Sequence, residues 1–288
     1  MLTNLLHRTT VLALCALTVS PYASLPALAK EDSSPAPTSE LPQEAKFATV
    51  YEEAKAKLPE DLYILYRIVE RMARANNLDE YPWRVSIGEA DEMDAYATEE
   101  NLMVISFGLL DRMAGDVSAL ACVVGHEMAH HINKHSAVFT ARASEWREGL
   151  DSDNQEDVQK YEEQSAELRR AQELEADAWG YRYATSAGFD ASGCERGFNL
   201  LSRLPDSLRD SDSHPAVPKR LEALKTLMAG EPPQTLATKG ESFLKATTPL
   251  SYEMIDQEGR KWLRINSERG GSFQQDWERL FPEDASKK

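Results

Sequence analysis

The segment His126–His130 reads His-Glu-Met-Ala-His, and its residue types and spacing could support chemistry. Histidines four residues apart lie on one face of a helix, about one turn apart along its axis. Two imidazoles in this arrangement can hold one zinc ion, and the intervening Glu127 can act as a general base toward an attacking water. The pattern therefore predicts a metal-assisted hydrolase whose first two metal ligands are His126 and His130.

A third ligand is expected downstream, because a catalytic zinc usually has three protein ligands and one open position. The segment Glu173–Asp177 begins 43 residues after His130, in a stretch of helical composition. Glu173 and Asp177 share a helix face, so one carboxylate can bind the metal while the other accepts the ring N–H of a histidine ligand. Glu175 is the competing ligand, but it points about 160° away from Glu173. The aspartate at i+4 favours Glu173.

Other reactive side chains near the motif are predicted to be structural. His131 and His135 point away from the face that carries the two ligand histidines, and we expect both at the surface. Cys122 lies four residues before the motif, on the same predicted helix, and is expected to face the core. Two buried thiols, Cys122 and Cys194, are the default expectation, although export would also permit a disulfide between them.

Hydrophobic periodicity predicts the elements that must position these residues. Strands are predicted at 83–87, 95–98 and 102–105, and helices at 45–58, 59–76, 117–135, 156–185, 196–203 and 219–228. The second helix has an apolar stripe, and the motif helix has Asp116 as its N-cap. The stripe consists of Leu62, Leu65, Ile68, Val69 and Met72. The prediction is a mostly helical α+β fold with a small antiparallel or mixed sheet.

The start of the chain has the pattern of a secretory signal peptide. Arg8 precedes an apolar stretch that ends in the small-x-small sequence Ala27–Ala29. We expect cleavage after Ala29 and export to the periplasm, with secretion as the alternative location and an uncleaved anchor as the competing interpretation. The predicted parts are a signal peptide (1–29), a flexible N-terminus (30–44), the main domain (45–230) and a C-terminal extension packing on it (231–288), which opens with a linker at Pro232-Pro233.

Charge and hydropathy exclude several kinds of partner. The chain has 32 basic and 48 acidic residues, a net charge of −16, and loss of a leader that holds one arginine and no acid makes it −17. So acidic a protein is not expected to bind nucleic acid or anionic lipid. Beyond the leader, we expect no membrane span, because no stretch approaches the roughly 20 apolar residues that a span needs.

Three motifs together resemble a known family. Gly125–His130, Glu173–Asp177, and His214-Pro215 with Arg220 are similar to the signature of the HtpX and CAAX-prenyl-endopeptidase metallopeptidases, and the soluble periplasmic members are most similar. The resemblance covers roughly residues 45–230. It implies a gluzincin-like fold with an active-site helix, one Zn²⁺ per chain, Glu173 as the third ligand and Asp177 beside the ligands. Members often carry a glycine turn that Asp94–Asn101 lacks, which leaves the shape of that hairpin open.

The resemblance also implies a function. We expect a zinc endopeptidase that cleaves misfolded or surplus envelope proteins, with unfolded chains as substrates and the outer-membrane assembly machinery as a candidate partner. Glu127, His214 and Arg220 are the predicted catalytic residues. His214 either stabilises the oxyanion or occupies the open metal position, and substrate is expected to add as a strand along residues 101–106. The alternatives are an envelope chaperone with a mostly latent site and a metal-stabilised binding module, which Glu127 disfavours.

Overall fold

A computed structural model of the protein describes residues 48–98, 102–257 and 259–266. The predicted signal peptide and the predicted flexible N-terminus lie outside these residues, as do the tail residues after Asn266. None of the helices among these residues combines the length and the apolar composition that a membrane span needs. The helices are α1 (Val50–Lys57), α2 (Glu60–Ala75), α3 (Phe107–Arg112), α4 (Val117–Ile132), α5 (His135–Arg147), α6 (Gln155–Ser186), α7 (Gly193–Leu201), α8 (Val217–Gly230) and α9 (Pro233–Ala246).

A five-stranded mixed sheet accompanies the helices, in the order β2-β3-β1-β5-β4. The pairing of β1 with β3 is parallel, and the other pairings are antiparallel. The predicted α+β fold, mostly helical with a small mixed sheet, is confirmed. The strands are β1 (Trp83–Gly88), β2 (Ala95–Ala97), β3 (Leu102–Ser106), β4 (Tyr252–Gln257) and β5 (Arg260–Ile265).

The exposed edge of the sheet differs from the edge that the sequence predicted. Strand β3 was expected to offer a free edge along residues 101–106, but it pairs with β1 on one side and β2 on the other. Among the described residues, β2 is the terminal strand of the sheet, and Tyr96 faces Val104 across an antiparallel pair formed without the usual glycines. The expectation failed because the parallel pairing with β1 is set by the tertiary crossover, not by the local pattern.

The predicted linker after Gly230 is also wrong. Helix α9 begins at Pro233, where proline is tolerated because the first helical N–H needs no partner. The chain then returns as β4 and β5, and β5 pairs antiparallel with β1. Trp262 and Leu263 of β5 are fully or almost fully buried. The segment that follows the predicted main domain (45–230) therefore supplies strands β4 and β5 of the sheet.

The helices next to the motif form for identifiable local reasons. All five residues of the predicted apolar stripe of α2 are buried. Helix α4 starts where the Asp116 side chain accepts a hydrogen bond from the Ala119 N–H at 3.0 Å, as predicted for the N-cap. Helix α4 ends at Ile132, and Lys134 has a positive φ of 54°, so α5 starts in a new direction at His135.

Two glycines allow α4 and α6 to approach closely. A Cβ atom on Gly125 would lie 2.9 Å from the Gly180 carbonyl oxygen, and one on Gly180 would lie 2.8 Å from the His126 nitrogen. Real Cβ atoms essentially never approach so closely, so larger residues would push the helices apart. Asp177 and Glu173 lie one and two turns before Gly180, and the crossing therefore brings them to the motif.

A disulfide joins Cys122 of α4 to Cys194 of α7 across 72 residues of sequence. The expectation of two buried thiols was wrong. It placed Cys122 on the core side of α4, but α7 packs against this part of α4 and brings Cys194 within bonding distance. Gly193 assists, since a Cβ there would lie 2.6 Å from the backbone carbon of Ser118.

The helix crossing can be tested by replacing Gly180 with alanine. We expect Gly180→Ala to lower the free energy of unfolding by about 1–3 kcal/mol, the usual cost of overpacking. We also expect weaker zinc binding, because α6 carries two carboxylates of the site. Urea denaturation and zinc titration measure the two effects.

Gly230→Ala is the matched control, because a Cβ at Gly230 would meet open space. It should change neither quantity appreciably. Equal stability and zinc affinity for Gly180→Ala and the wild type would show that the crossing tolerates a methyl group.

Candidate active site

Three potential metal ligands converge between α4 and α6. The Nε2 atoms of His126 and His130 lie 3.0 Å apart. The Glu173 carboxylate places one oxygen 3.4 Å from Nε2 of His126 and the other 3.3 Å from Nε2 of His130. One ligand atom from each residue lies within 4.8 Å of the others, as binding to a single ion requires.

The chemistry of this cluster fits zinc. Two imidazole nitrogens and one carboxylate oxygen form a common ligand set of catalytic zinc. In the part of the chain that the structure describes, the Glu173 Oε2 atom is buried and has no hydrogen-bond partner. A buried carboxylate oxygen without a donor is costly, and a bound cation would remove that cost. Each histidine also uses its Nδ1 atom for another contact, so both Nε2 atoms are left for the metal.

Asp177 and Arg220 support His126. The Nδ1 atom of His126 is 2.9 Å from Asp177 Oδ1, and the Arg220 guanidinium donates two hydrogen bonds to Asp177 at 2.6 and 2.7 Å. Burial raises the pKa of Asp177, but the charge and hydrogen bonds of Arg220 lower it more, so the net shift is downward. A carboxylate on Nδ1 fixes the tautomer that presents Nε2 to a metal.

His135 supports His130 in the same way, and the sequence did not predict it. His135 was expected at the surface but is 5% exposed. Its Nδ1 atom lies 2.9 Å from Nδ1 of His130. A helix running through residue 135 would turn its side chain away from His130, but the positive φ of Lys134 breaks the helix and turns it back. Only recognition of that break could have revealed the contact.

The other two residues that the sequence weighed lie outside the ligand cluster. Glu175 does not join the two histidines; its side chain is half exposed, and Oε2 lies 3.5 Å from Nε2 of His135. His131 is only partly exposed and packs edge-on against the rings of Trp83 and Tyr81. Burial, followed by the charges of Arg84 and Lys134, lowers the pKa of His131 to about 4.

Glu127 is placed to act as a base. It is 5% exposed and lines both cavities that meet at the ligands. Burial raises the pKa of Glu127 more than the His126 and His130 charges lower it. For His126, burial lowers the pKa, but the adjacent carboxylates of Asp177 and Glu173 raise it to about 10. The carboxylates of Glu127, Glu173 and Asp177 lie close together, and their combined negative charge favours the binding of a cation.

His214 and Arg220 both lie near Glu173, but His214 is an exposed loop residue and Arg220 is buried. His214 lies in the loop before α8, more than half exposed, with Nε2 3.6 Å from Glu173 Oε2 and Nδ1 2.8 Å from the Ser213 hydroxyl. It lines both cavities. Arg220 is buried, and its Nη2 atom is 3.5 Å from Glu173 Oε2. Arg220 thus contacts two carboxylates of the site. The catalytic roles predicted for both residues stay predictions.

Two cavities open on either side of the ligands. One, of about 560 Å³, is lined largely by polar residues, including Thr98, Lys134 and Ser136. The other, of about 370 Å³, is lined mainly by apolar side chains. Strand β2 contributes residues to both. The ligands therefore lie where the two cavities meet.

A zinc-type ligand cluster with a buried glutamate beside it, in a cleft of a helical α+β domain, defines a metallopeptidase. Comparison with known proteins agrees: the chain matches Peptidase family M48 over residues 63–146 and 158–228. The chain belongs to this family, whose members are zinc-dependent. No curated protein and no solved structure matched the chain.

The contact between His135 and His130 makes a prediction about metal affinity. We expect His135→Ala to weaken zinc binding about 10- to 100-fold, the usual effect of removing a residue that orients a metal ligand. Competition with a zinc-binding dye measures the affinity. His135→Asn, whose side-chain oxygen can still accept from Nδ1–H of His130, should lose less. Equal affinity for His135→Ala and the wild type would contradict this positioning role.

Proposed function

We propose that the protein is an exported zinc endopeptidase that hydrolyses misfolded or surplus proteins of the cell envelope. The observation that carries the proposal is the convergence of His126, His130 and Glu173 beside the buried Glu127. This cluster lies where the two cavities meet, which leaves space for substrate on both sides of a scissile bond, as cleavage within a chain requires. Family membership supplies the coarser activity, and the finer role rests on the cleft and the leader.

The chain's own residues suit peptide hydrolysis. A zinc ion held by His126, His130 and Glu173 would polarise the scissile carbonyl and lower the pKa of the attacking water. Glu127 takes the proton of that water and then delivers it to the leaving amine. Burial raises the pKa of Glu127 and so makes its carboxylate a stronger base. Asp177 and His135 keep the two imidazoles oriented throughout.

Substrate is proposed to bind as an extended strand along β2. This strand is the edge of the sheet, and residues 94–98 line the polar cavity beside the ligands. An added strand is held mainly by backbone hydrogen bonds, which do not depend on side-chain identity. Folded proteins keep their backbone in internal pairings, so this mode favours unfolded chains.

Export is supported by two independent features. The first 29 residues have the basic start, apolar stretch and small-residue ending of a cleavable leader. The disulfide between Cys122 and Cys194 fits an oxidising compartment, where such bonds persist. The periplasm satisfies both, and secretion beyond it is the alternative.

The role of Glu127 is tested by Glu127→Gln in the mature protein. We expect proteolysis of casein to fall by at least about 100-fold, because proton transfer by a positioned base typically contributes 10²–10⁴-fold. Zinc content should stay unchanged, since Glu127 is not part of the ligand cluster. Chelation should also abolish wild-type cleavage, and added zinc should restore it.

The same variant distinguishes the alternative function. An envelope chaperone with a latent site would still correct a deletion phenotype when Glu127 is glutamine. A peptidase would not. Full proteolytic activity of Glu127→Gln, or loss of its zinc, would exclude the role assigned to the residue.

His214 is proposed to stabilise the oxyanion, because its exposed ring lies beside Glu173 and between the two cavities. Removing one donor from an oxyanion site typically costs about 10²–10³ in kcat. We expect a loss of this size for His214→Ala, with unchanged zinc content. A rise in activity would instead show that His214 occupies the open metal position and keeps the enzyme latent.

A further inference from the structure

The apolar cavity ends at the catalytic residues. It shares Asp94, Ala95, His126, Glu127, Glu173 and His214 with the polar cavity, so the two meet where a scissile bond must lie. Its volume of about 370 Å³ is near the lower end of the range for small-molecule sites. A side chain next to the cleaved bond would therefore enter it directly.

The walls of this cavity come from helices on both sides of the motif. Val123 lies one turn before His126 on α4, and α7 contributes Phe198 and Leu201. The Cys122–Cys194 disulfide lines the same cavity and joins those two helices. The shape of the cavity thus depends on a covalent link between α4 and α7.

The cavity is also coupled to the buried charges of the site. The Arg220 guanidinium lies 5.0 Å from the centre of the Phe198 ring. Arg220 donates hydrogen bonds to Asp177, which lines the same cavity, so its charge is balanced by a carboxylate in the same wall. The cavity wall is mainly apolar, although charged side chains such as Asp206 and Arg209 also line it, so a large apolar substrate side chain would be desolvated favourably there.

We propose that this cavity is a substrate subsite for a large apolar side chain, such as phenylalanine or leucine, beside the scissile bond, and that the Cys122–Cys194 disulfide is a specificity-determining part of its wall. The inference rests on the proposed function, because it assigns the subsite to a peptide substrate. Large apolar side chains are buried in folded proteins, so the subsite selects chains that have lost their structure.

Peptide binding tests the subsite apart from catalysis. Zinc-loaded Glu127→Gln protein is titrated with a labelled glycine-serine host peptide that carries one central Phe, Leu, Ala or Asp. We expect the Phe and Leu peptides to bind about 10- to 100-fold more tightly than the Ala peptide, the usual gain from burying such a side chain. The Asp peptide should bind less tightly than the Phe and Leu peptides, because the cavity wall is mainly apolar.

Filling the cavity tests its location. Gly197 lines it, and an added Cβ there would make only ordinary contacts, at 3.8 Å from Met113 and 4.0 Å from Ala119. Gly197→Leu, combined with Glu127→Gln, should bring the Phe-to-Ala affinity ratio close to one. Gly230→Leu is the matched control, a helical glycine beside open space, and should keep the ratio.

The disulfide is tested by Cys122→Ser with Cys194→Ser. With folding and zinc content verified, we expect the Phe-to-Ala affinity ratio of this variant to be at least fivefold lower, because α7 is no longer linked covalently to α4. If it does not fold, Gly197→Leu decides the case, since it keeps the disulfide. A ratio near one in the Glu127→Gln protein, or an unchanged ratio in Gly197→Leu, would overturn the proposal.

The proposed peptidase activity and the proposed subsite can be refuted independently of each other. A wild-type protein that cleaves no peptide, but whose Glu127→Gln form prefers Phe over Ala, would refute the proposed peptidase role and keep the apolar binding site. A wild-type protein that cleaves the Phe, Ala and Asp peptides at equal kcat/KM would keep the peptidase role and refute the subsite.

Discussion

The close crossing of α4 and α6 at Gly125 and Gly180 is the constraint on which the site depends. Helix α4 alone supplies two imidazoles and a glutamate, which cannot complete a catalytic metal site. Helix α6 adds Glu173 and Asp177 from one face, and they reach His126 only because no side chain separates the two backbones. The geometry of the ligands is therefore a consequence of helix packing, and two hydrogen atoms in place of methyl groups make that packing possible.

The buried charges around the ligands are stable only as a connected set. Asp177 contacts both His126 and Arg220, and Arg220 lies near Glu173 as well. Removing one partner from such a set leaves an uncompensated buried charge, which costs more than the pair contributes. The same residues thus hold the histidines in place and keep negative charge at the point where a cation is needed. This is a connected polar network at the crossing of α4 and α6.

The sequence predicted what local periodicity controls and missed what tertiary contacts control. Positions four apart on a helix identified His126 with His130 and Glu173 with Asp177, and the structure brings all four together. The apolar stripe of α2 and the Asp116 cap were equally local. The disulfide, the pairing of β5 with β1 and the edge position of β2 each join segments far apart in sequence, which periodicity does not report. The prediction that His135 lies at the surface was wrong for a different reason: Lys134 has a left-handed backbone conformation that changes the direction of the chain.

The asymmetry of the cleft suits the proposed combination of broad backbone recognition and selective side-chain recognition. Along β2, the substrate backbone can be held by strand pairing, which tolerates any sequence. Beside the ligands, the proposed subsite bounded by Phe198, Val123 and the disulfide would discriminate by hydrophobicity at a single position. Backbone pairing requires an unfolded segment, and the apolar side chain is one that folding would have hidden. In the proposed mode of binding, both requirements are met together only by a chain that has lost its native structure, and the selectivity of the cleft would then lie in the folding state of the substrate more than in its sequence.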